Sequence, residues 1–208
     1  LAKKNKVSIA TGSEISNTFL QVGRELVENF YMCFNCMGNV VYKEGELIKQ
    51  NFWIPEKRLF VFLIDFISSS KFSFRTAKHL ELRTGSMNVS VVGRNATPEQ
   101  REKYMEYDSR EHERLRLAEL LTTEFKDIEI SIGGNVSIDI CPKGKNKSQI
   151  LEYVNEERIV YFGDGCGRWG NDQPVFDIIR KMDHAVGHEI EQWNETMDIL
   201  LSNYKNNL

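Results

Sequence analysis

The alternation of strand and helix patterns at the two ends of this sequence limits its fold more than any other feature. At the first end, residues 7–10 form a short β-prone run that stops at Thr11-Gly12-Ser13. Apolar residues then recur at helical spacing between Phe19 and Phe30. This end therefore predicts a strand, a loop and a helix in succession.

The second end repeats the pattern. Residues 158–162 are an apolar strand that runs into Gly163-Asp164-Gly165, as strands buried in parallel sheets do. Ala185-Val186 is a weaker strand candidate, and we expect Asn194 to cap the helix after it. Alternation at both ends predicts a parallel sheet covered by helices, which is an α/β fold.

The middle of the sequence has a different pattern. Residues 128–132 and 136–140 each alternate apolar with polar residues on either side of Gly133-Gly134, which predicts an antiparallel hairpin with a two-residue turn. Two helix starts precede it, because residues 97–100 fit a capping box around a proline and Asp108 with Glu111 fits another. We therefore predict an α+β domain at 51–142 inserted between two parts of one core domain, 1–50 and 143–208.

Composition excludes several classes of protein. The chain has 41% hydrophobic and 27% charged residues and a net charge of -3, which is typical of a soluble globular protein without the basic field that nucleic acid requires. Its longest apolar stretch, residues 59–67, contains Asp65 and is far shorter than the ~20 residues of a membrane-spanning helix. The first residues lack the apolar core of a signal peptide and an initiating Met. We expect a cytoplasmic protein whose true start lies upstream.

The four cysteines are expected to be reduced, because the sequence has no export signal. Cys33 and Cys36 form a C-x-x-C pair, which is compatible with redox chemistry or with half of a zinc site. No second pair of cysteines or histidines completes four ligands, and Gly187 separates His184 from His188. Buried structural thiols are the preferred interpretation.

Polar residues that could bind a phosphate or a metal ion lie in three loops of the predicted core. Thr11-Gly12-Ser13 follows a strand and opens onto a helix, where hydroxyls and amides can hold a phosphate. Asp164 and Asp172 lie in one loop after a strand, so Mg²⁺ binding and turn formation are both open for Asp164. Lys147 could neutralise a transferring phosphoryl group or could be an ordinary surface lysine.

The inserted domain has its own polar face. Strand alternation places Asn135, Ser137 and Asp139 opposite the isoleucines, and places Asn88 and Arg94 on the polar side of their strand. This face could recognise sugar hydroxyls and a phosphate, or it could simply be solvated. Both interpretations remain open from the pattern alone.

Two long segments resemble the cap signatures of eukaryotic-type phosphomannomutases, which belong to the haloacid dehalogenase superfamily. They are residues 83–94, Arg-Thr-Gly-Ser-Met-Asn-Val-Ser-Val-Val-Gly-Arg, and residues 131–139, Ser-Ile-Gly-Gly-Asn-Val-Ser-Ile-Asp. Residues 161–164 with 170–172 are similar to the family's metal loop, and residues 185–188 match a stretch near its carboxyl end. The resemblance extends over nearly the whole chain.

The resemblance implies a haloacid dehalogenase core with a Rossmann-like parallel sheet and an inserted α+β cap. It implies an Mg²⁺-dependent enzyme that moves a phosphoryl group between positions 1 and 6 of mannose or glucose phosphate, with a hexose 1,6-bisphosphate as activator and a homodimer formed through the cap. In the cap, residues at Arg83, Arg94 and Arg101 would bind the phosphate that is not reacting, and those at Asn88, Ser137 and Asp139 would contact the sugar. In the core, Thr11 or Ser13 would bind the reacting phosphate, Lys147 would steady it, and Asp164 and Asp172 would support the metal.

The sequence also departs from the family. The nucleophile motif Asp-x-Asp-Gly-Thr is expected upstream of Leu1, so neither the attacking nor the acid/base aspartate can be named. Phe34-Asn35-Cys36-Met37-Gly38 stands where the family usually has Pro-Glu-Asn-Gly, and Lys145-Asn146 replaces a usual Trp-Asp. A mutase, a phosphatase of the same fold and a non-catalytic sugar-phosphate-binding protein are the three functions that the sequence leaves open.

For the inserted domain to bind a sugar phosphate, Arg83 must share a face with Asn88, Arg94, Ser137 and Asp139. Simple alternation along one strand puts Arg83 on the side of Met87 instead. We therefore predict a turn or bulge at Gly85-Ser86 that shifts the alternation of side chains and brings Arg83 onto the polar face.

Overall fold

The protein is described by a computed structural model over residues 4–205, and it divides into two compact units. The core unit is the chain up to Gln50 together with the chain from Asn146 onward, and the inserted unit is Asn51–Lys145. Residues 143–145, which we predicted to open the second core segment, belong to the inserted unit. There Lys143 N donates to Asp127 O and Gly144 N to Glu129 Oε1, both at 2.9 Å.

The first part of the core unit is a four-stranded sheet with two short helices. Its elements are β1 (Ser8–Ala10), α1 (Ile15–Val22), α2 (Arg24–Glu28), β2 (Met32–Asn35), β3 (Val40–Lys43) and β4 (Glu46–Gln50). β1 and β2 are parallel, and β3 and β4 follow in antiparallel order. The helical pattern from Phe19 to Phe30 forms two helices rather than one, because the chain turns at Gly23 with a φ of +92°.

The inserted unit is an antiparallel sheet with three helices. Its elements are α3 (Lys57–Ser69), β5 (Leu80–Arg83), β6 (Ser86–Val89), α4 (Pro98–Glu111), α5 (Glu113–Glu124), β7 (Ile128–Ser131) and β8 (Ile138–Pro142). The strand order is β5-β6-β8-β7. One face of the sheet, including Met87 and Ile140, packs with helix residues such as Leu63, Tyr104 and Leu121 in one core cluster. Burial of each large apolar side chain stabilises such a core by about 1.5–3 kcal/mol.

Local predictions fail at three places in this unit. Arg94 lies in the loop after β6, which ends at Val89, and not on the polar side of that strand. The antiparallel pair β7–β8 exists, but Ser131 faces Asp139, so the connection spans residues 132–137 rather than a two-residue Gly-Gly turn, and Asn135 is exposed in that connection. The second helix begins at Glu113 after a left-handed His112, not at Asp108. Asp108 lies in α4 and still caps α5, because its Oδ1 accepts from Arg114 N at 2.8 Å.

The second part of the core unit contains a two-stranded parallel sheet. Its elements are a 3-10 helix (Lys147–Tyr153), β9 (Ile159–Gly163), α6 (Gln173–Ile179), β10 (Ala185–Glu189) and α7 (Trp193–Asn203). β9 and β10 are parallel, as are β1 and β2, but within residues 4–205 the two pairs lie in separate sheets. The predicted cap of α7 is wrong, because Gln192 occupies the N-cap and Asn194 lies inside the helix.

The core unit has one apolar cluster that draws on both of its parts. Phe34 and Val41 from the first sheet pack there with Ile150, Val175 and Ile179 from the second part. No helix within the described part of the chain is long and apolar enough to cross a membrane. The cysteines are free thiols, and burial raises the pKa of Cys33 to about 11, which favours the preferred structural interpretation of the C-x-x-C pair.

Candidate functional site

The polar face of the inserted sheet begins at the β5–β6 hairpin. Arg83 pairs with Ser86 across the turn formed by Thr84 and Gly85, and Glu81 pairs with Asn88. Because cross-strand partners share a face, Arg83 and Glu81 lie on the side of Asn88 and away from Met87. The predicted change of face is therefore confirmed, but its cause is a two-residue turn at Thr84-Gly85 rather than at Gly85-Ser86, because Ser86 already belongs to β6.

Hydrogen bonds join this face into one buried network. Asn88 Nδ2 donates to Asp139 Oδ1 at 2.7 Å and to Ser137 Oγ at 3.0 Å. Arg83 Nη1 donates to the same Asp139 oxygen at 3.2 Å. The Oδ1 atom of Asn88 is buried and has no hydrogen-bond partner among the residues that the structure describes. A buried acceptor without a donor is costly, so this atom is suited to a hydroxyl donor from a ligand.

Three arginines adjoin the network. Arg94 Nε lies 3.7 Å from Glu81 Oε2, and Arg83 donates to that oxygen from Nε at 2.9 Å and from Nη2 at 2.6 Å. Arg101 lies on α4 and donates to Arg94 O at 2.8 Å and to Ala96 O at 3.1 Å. Burial and the positive charge of Arg83 lower the pKa of Arg94 from its ordinary value. Partly buried guanidinium groups of this kind are suited to binding an anion.

The core unit contains a second charged group at Lys147. Its Nζ donates to Asp172 Oδ1 at 2.7 Å and to Asn171 Oδ1 at 3.1 Å. The Lys147 side chain is only 7% exposed and that of Asp172 only 3%, so Lys147 is not a surface lysine. Tyr161 OH also donates to Asp172 Oδ1, and Gly165 N donates to Oδ2 at 2.8 Å. Burial raises the pKa of Asp172, but Lys147, Tyr161 and the Gly165 amide outweigh it and hold the pKa below its usual range.

The Thr11-Gly12-Ser13 loop is fixed by the turn that follows β2. Ser13 O accepts from Cys36 N at 3.0 Å and from Asn35 Nδ2 at 3.2 Å, and Thr11 O accepts from Met37 N at 2.9 Å. Inside the loop, Ser13 N donates to Thr11 Oγ1 at 3.1 Å. The loop is thereby held in one conformation with hydroxyl groups at the carboxyl end of β1.

The same turn also anchors the 3-10 helix that carries Lys147. Gln149 Nε2 donates to Met37 O at 2.9 Å, and Gly38 lies so close that a Cβ there would approach Gln149 Cγ to 2.8 Å. The loop and the lysine are therefore positioned by one structural element. Sequence reasoning missed Asn35, Gln149, Tyr161 and Glu81, and only Glu81 had a signal, its position two residues before Arg83.

The two predicted metal ligands differ in their surroundings. Asp164 is exposed, and its carboxylate accepts no hydrogen bond from the described residues. Both oxygens of Asp172 are engaged, and no group of three or more metal-ligating side chains occurs in residues 4–205. The donor set fits Mg²⁺ in part, because this ion is usually held by one or two carboxylates with water and substrate phosphate. Asp164 suits that role, whereas Asp172 orders the loop.

The family model for eukaryotic phosphomannomutase matches residues 1–205. The chain belongs to the eukaryotic phosphomannomutase family. The phosphomannomutase of Saccharomyces cerevisiae is 33% identical over 96% of this chain and 82% of its own length. That of Dendrobium officinale is 32% identical over 89% of this chain and 77% of its own length.

Solved structures confirm the fold of this phosphomannomutase family member. The C-terminal domain of C. albicans trehalose-6-phosphate phosphatase matches with a TM-score of 0.57 and 14% identity, over 87% of this chain and 62% of that chain. The C-terminal domain of Candida albicans trehalose synthase regulatory protein matches with a TM-score of 0.57 and 11% identity, over 94% of this chain and 80% of that chain. The fold is a haloacid dehalogenase core with an inserted α+β cap, as predicted.

Proposed function

We propose that this protein interconverts hexose 6-phosphate and hexose 1-phosphate, with mannose or glucose as the sugar, through a phospho-aspartyl intermediate. The observation that carries the proposal is the presence of two separate groups suited to phosphate. One is the arginine group of the cap, and the other is Lys147 with the Thr11–Ser13 loop in the core. A mutase must hold a bisphosphate in either orientation and therefore needs two such sites, whereas a phosphatase needs one.

In the cap, Arg83, Arg94 and Arg101 are the proposed ligands of the phosphate that is not reacting. The unpartnered Oδ1 of Asn88 supports sugar binding beside them, because a sugar hydroxyl can donate to it. Asp139 accepts from both Arg83 and Asn88, and Ser137 accepts from Asn88. These contacts would orient the sugar relative to its bound phosphate.

In the core, Thr11 or Ser13 would donate to the reacting phosphate and Lys147 would balance its charge. Asp172 keeps the lysine side chain in place, and Asp164 is the residue of this chain that would ligate Mg²⁺. When bound, Mg²⁺ would neutralise charge on the transferring phosphoryl group. A hexose 1,6-bisphosphate is the proposed activator, because it would phosphorylate the attacking aspartate.

The attacking and acid/base aspartates are proposed to lie in a segment upstream of Leu1. Among the described residues, β1 pairs only with β2 and β9 pairs only with β10, so each has an edge that could accept another parallel strand. A strand ending in Asp-x-Asp-Gly-Thr would place its carboxylates at the same sheet edge as Thr11 and Asp164. Asp172 cannot serve as the nucleophile, because Lys147, Tyr161 and Gly165 occupy its oxygens.

An isomerisation assay tests the proposed function. We expect the full-length gene product to convert mannose 1-phosphate to mannose 6-phosphate, to need Mg²⁺ and to be stimulated by a hexose 1,6-bisphosphate. The 208-residue form, with a mass of 24.1 kDa checked by mass spectrometry, is expected to show no turnover. Steady release of inorganic phosphate without isomerisation would contradict a mutase, and normal turnover by the 24.1 kDa form would contradict an upstream nucleophile.

Two further properties of the family are proposed for this protein. One is a homodimer formed through the cap, which light scattering would detect as about twice the chain mass of 24.1 kDa. The other is a location in the cytoplasm, where its hexose phosphate substrates occur. A partnership with nucleic acid or membrane is not proposed, because the net charge of -3 provides no attractive field for either.

A further inference from the structure

Glu81 places a carboxylate among the proposed phosphate-binding arginines. Its Oε2 atom accepts from Arg83 Nε at 2.9 Å and from Arg83 Nη2 at 2.6 Å, and it lies 3.7 Å from Arg94 Nε. A single oxygen thus lies where two guanidinium groups meet. A phosphate oxygen is likewise a charged acceptor for guanidinium N–H groups.

The two acidic partners of Arg83 differ in how easily they can move. The Asp139 side chain is 8% exposed and is also held by Asn88, whereas the Glu81 side chain is 28% exposed and accepts hydrogen bonds only from Arg83 among the described residues. Glu81 can therefore swing into solvent without breaking the Asn88 network. Asp139 cannot move without breaking it.

The charge of Glu81 persists at neutral pH. Burial raises the pKa of its carboxyl, but the hydrogen bonds and charge of Arg83, with the charges of Arg94 and Lys78, outweigh this and lower the pKa below its usual value. Together with Asp139, the carboxylate thus balances the partly buried positive charge of Arg83 and Arg94.

We infer that Glu81 is a built-in counter-anion that occupies the phosphate position on Arg83 and Arg94 and must leave before a phosphate monoester binds there. This inference rests on the proposed function, in which these arginines bind the non-reacting phosphate. Because phosphate can bind only when Glu81 has left the arginines, the apparent affinity for phosphate is the intrinsic affinity multiplied by the fraction of protein in that state. It also keeps the cap from holding one end of a bisphosphate so tightly that the molecule cannot turn.

The test is a titration of the full-length gene product with inorganic phosphate, followed through the Nε–H resonances of Arg83 and Arg94. These resonances report the cap site separately from the core site. Glu81→Gln removes the charge and keeps the shape, and we expect it to bind phosphate about five- to tenfold more tightly than the unaltered chain. Glu102→Gln, an exposed residue on α4, makes the same charge change outside the site and should shift the dissociation constant less than about twofold.

A second variant and a measurement on the unaltered protein keep the inference testable even if Glu81→Gln misfolds. Glu81→Asp keeps the charge but retracts the carboxylate by one methylene, and it should also tighten phosphate binding. In the unaltered chain, the Glu81 carboxyl carbon resonance should move as phosphate saturates the arginines. Unchanged or weaker binding in both variants, or a Glu81 resonance that does not move, would overturn the inference while leaving the phosphate site intact.

A different result of the same titration would contradict the proposed function itself. If the Arg83 and Arg94 resonances respond to phosphate in none of the proteins, the cap arginines are not a phosphate site. That result would overturn both the assignment of the site and the role of Glu81.

Discussion

At the residue scale, the ion pair between Lys147 and Asp172 fixes the position of the lysine in the core unit. Both side chains are nearly inaccessible, at 7% and 3% exposure. Removing one partner of such a pair leaves the other charge buried without compensation, which costs about 3–5 kcal/mol. The lysine is therefore pre-positioned by its aspartate rather than free to move.

Asp172→Asn should lower the free energy of unfolding by about 3 kcal/mol at pH 7. Urea denaturation measures this, and Asp177→Asn on the exposed side of α6 is the matched control, since Asp177 is 56% exposed. A loss below about 1 kcal/mol, the usual range for surface pairs, would show that the pair does not stabilise the loop.

The effect of Asp172→Asn should depend on pH in a defined direction. Because the folded pKa of Asp172 is lowered, its stabilising contribution is present above the unfolded value of about 3.9 and is lost as pH falls through the folded pKa. The difference between the two proteins should be constant above about pH 5 and should shrink below about pH 4. Repeating the denaturation at pH 3 checks the sign.

The residues that the sequence analysis missed make contacts that residue spacing does not reveal. Asn35 and Gln149 act through backbone atoms of Ser13 and Met37, which lie far from them in the chain. Alternation and spacing identify which side chains share a face, but they do not identify a backbone partner. Glu81 shares its strand face with Arg83, yet only the hairpin register shows that this face is also that of Asn88.

At the element scale, the turn between β3 and β4 is suboptimal. Lys43 pairs with Glu46 across Glu44 and Gly45, and both turn residues have positive φ, at +50° and +86°. Two-residue hairpin turns with positive φ favour Asn-Gly, because asparagine tolerates the left-handed region better than glutamate.

Glu44→Asn should therefore raise the free energy of unfolding by about 0.5–1 kcal/mol. Thermal denaturation should show a rise of a few degrees, and Glu46→Asn, in the adjoining strand, should give no rise. A lower melting temperature for Glu44→Asn would contradict the assigned turn.

Helix starts show how far sequence patterns can be trusted for single elements. Both halves of the predicted capping box between Thr97 and Gln100 are confirmed in α4. The predicted start at Asp108 is wrong because the chain turns sharply at His112, and Asp108 caps α5 from the preceding helix. A residue pattern does not reveal that a cap can come from another element.

At the scale of the whole molecule, the sequence predicts the order of strands, helices and units along the chain better than it predicts which strands pair with each other. Periodicity revealed β1, β9 and β10, the separate middle unit and part of its polar face. It did not reveal β2, β3 and β4, and it wrongly placed Asn135 on that face. The separation of β1–β2 from β9–β10 was also not visible, because periodicity does not reveal which strands are neighbours. Two phosphate-suited groups in one chain are the feature that distinguishes a mutase from a phosphatase.

The most direct test of that distinction follows a labelled phosphoryl group. The full-length gene product would be incubated with mannose 1-phosphate and a trace of mannose 1,6-bisphosphate carrying ³²P. If the bisphosphate turns, donates one phosphoryl group to the enzyme and is remade when the phosphorylated enzyme returns that group to a monophosphate, the label should enter mannose 1-phosphate and mannose 6-phosphate together. Label that appears only in inorganic phosphate would contradict the account.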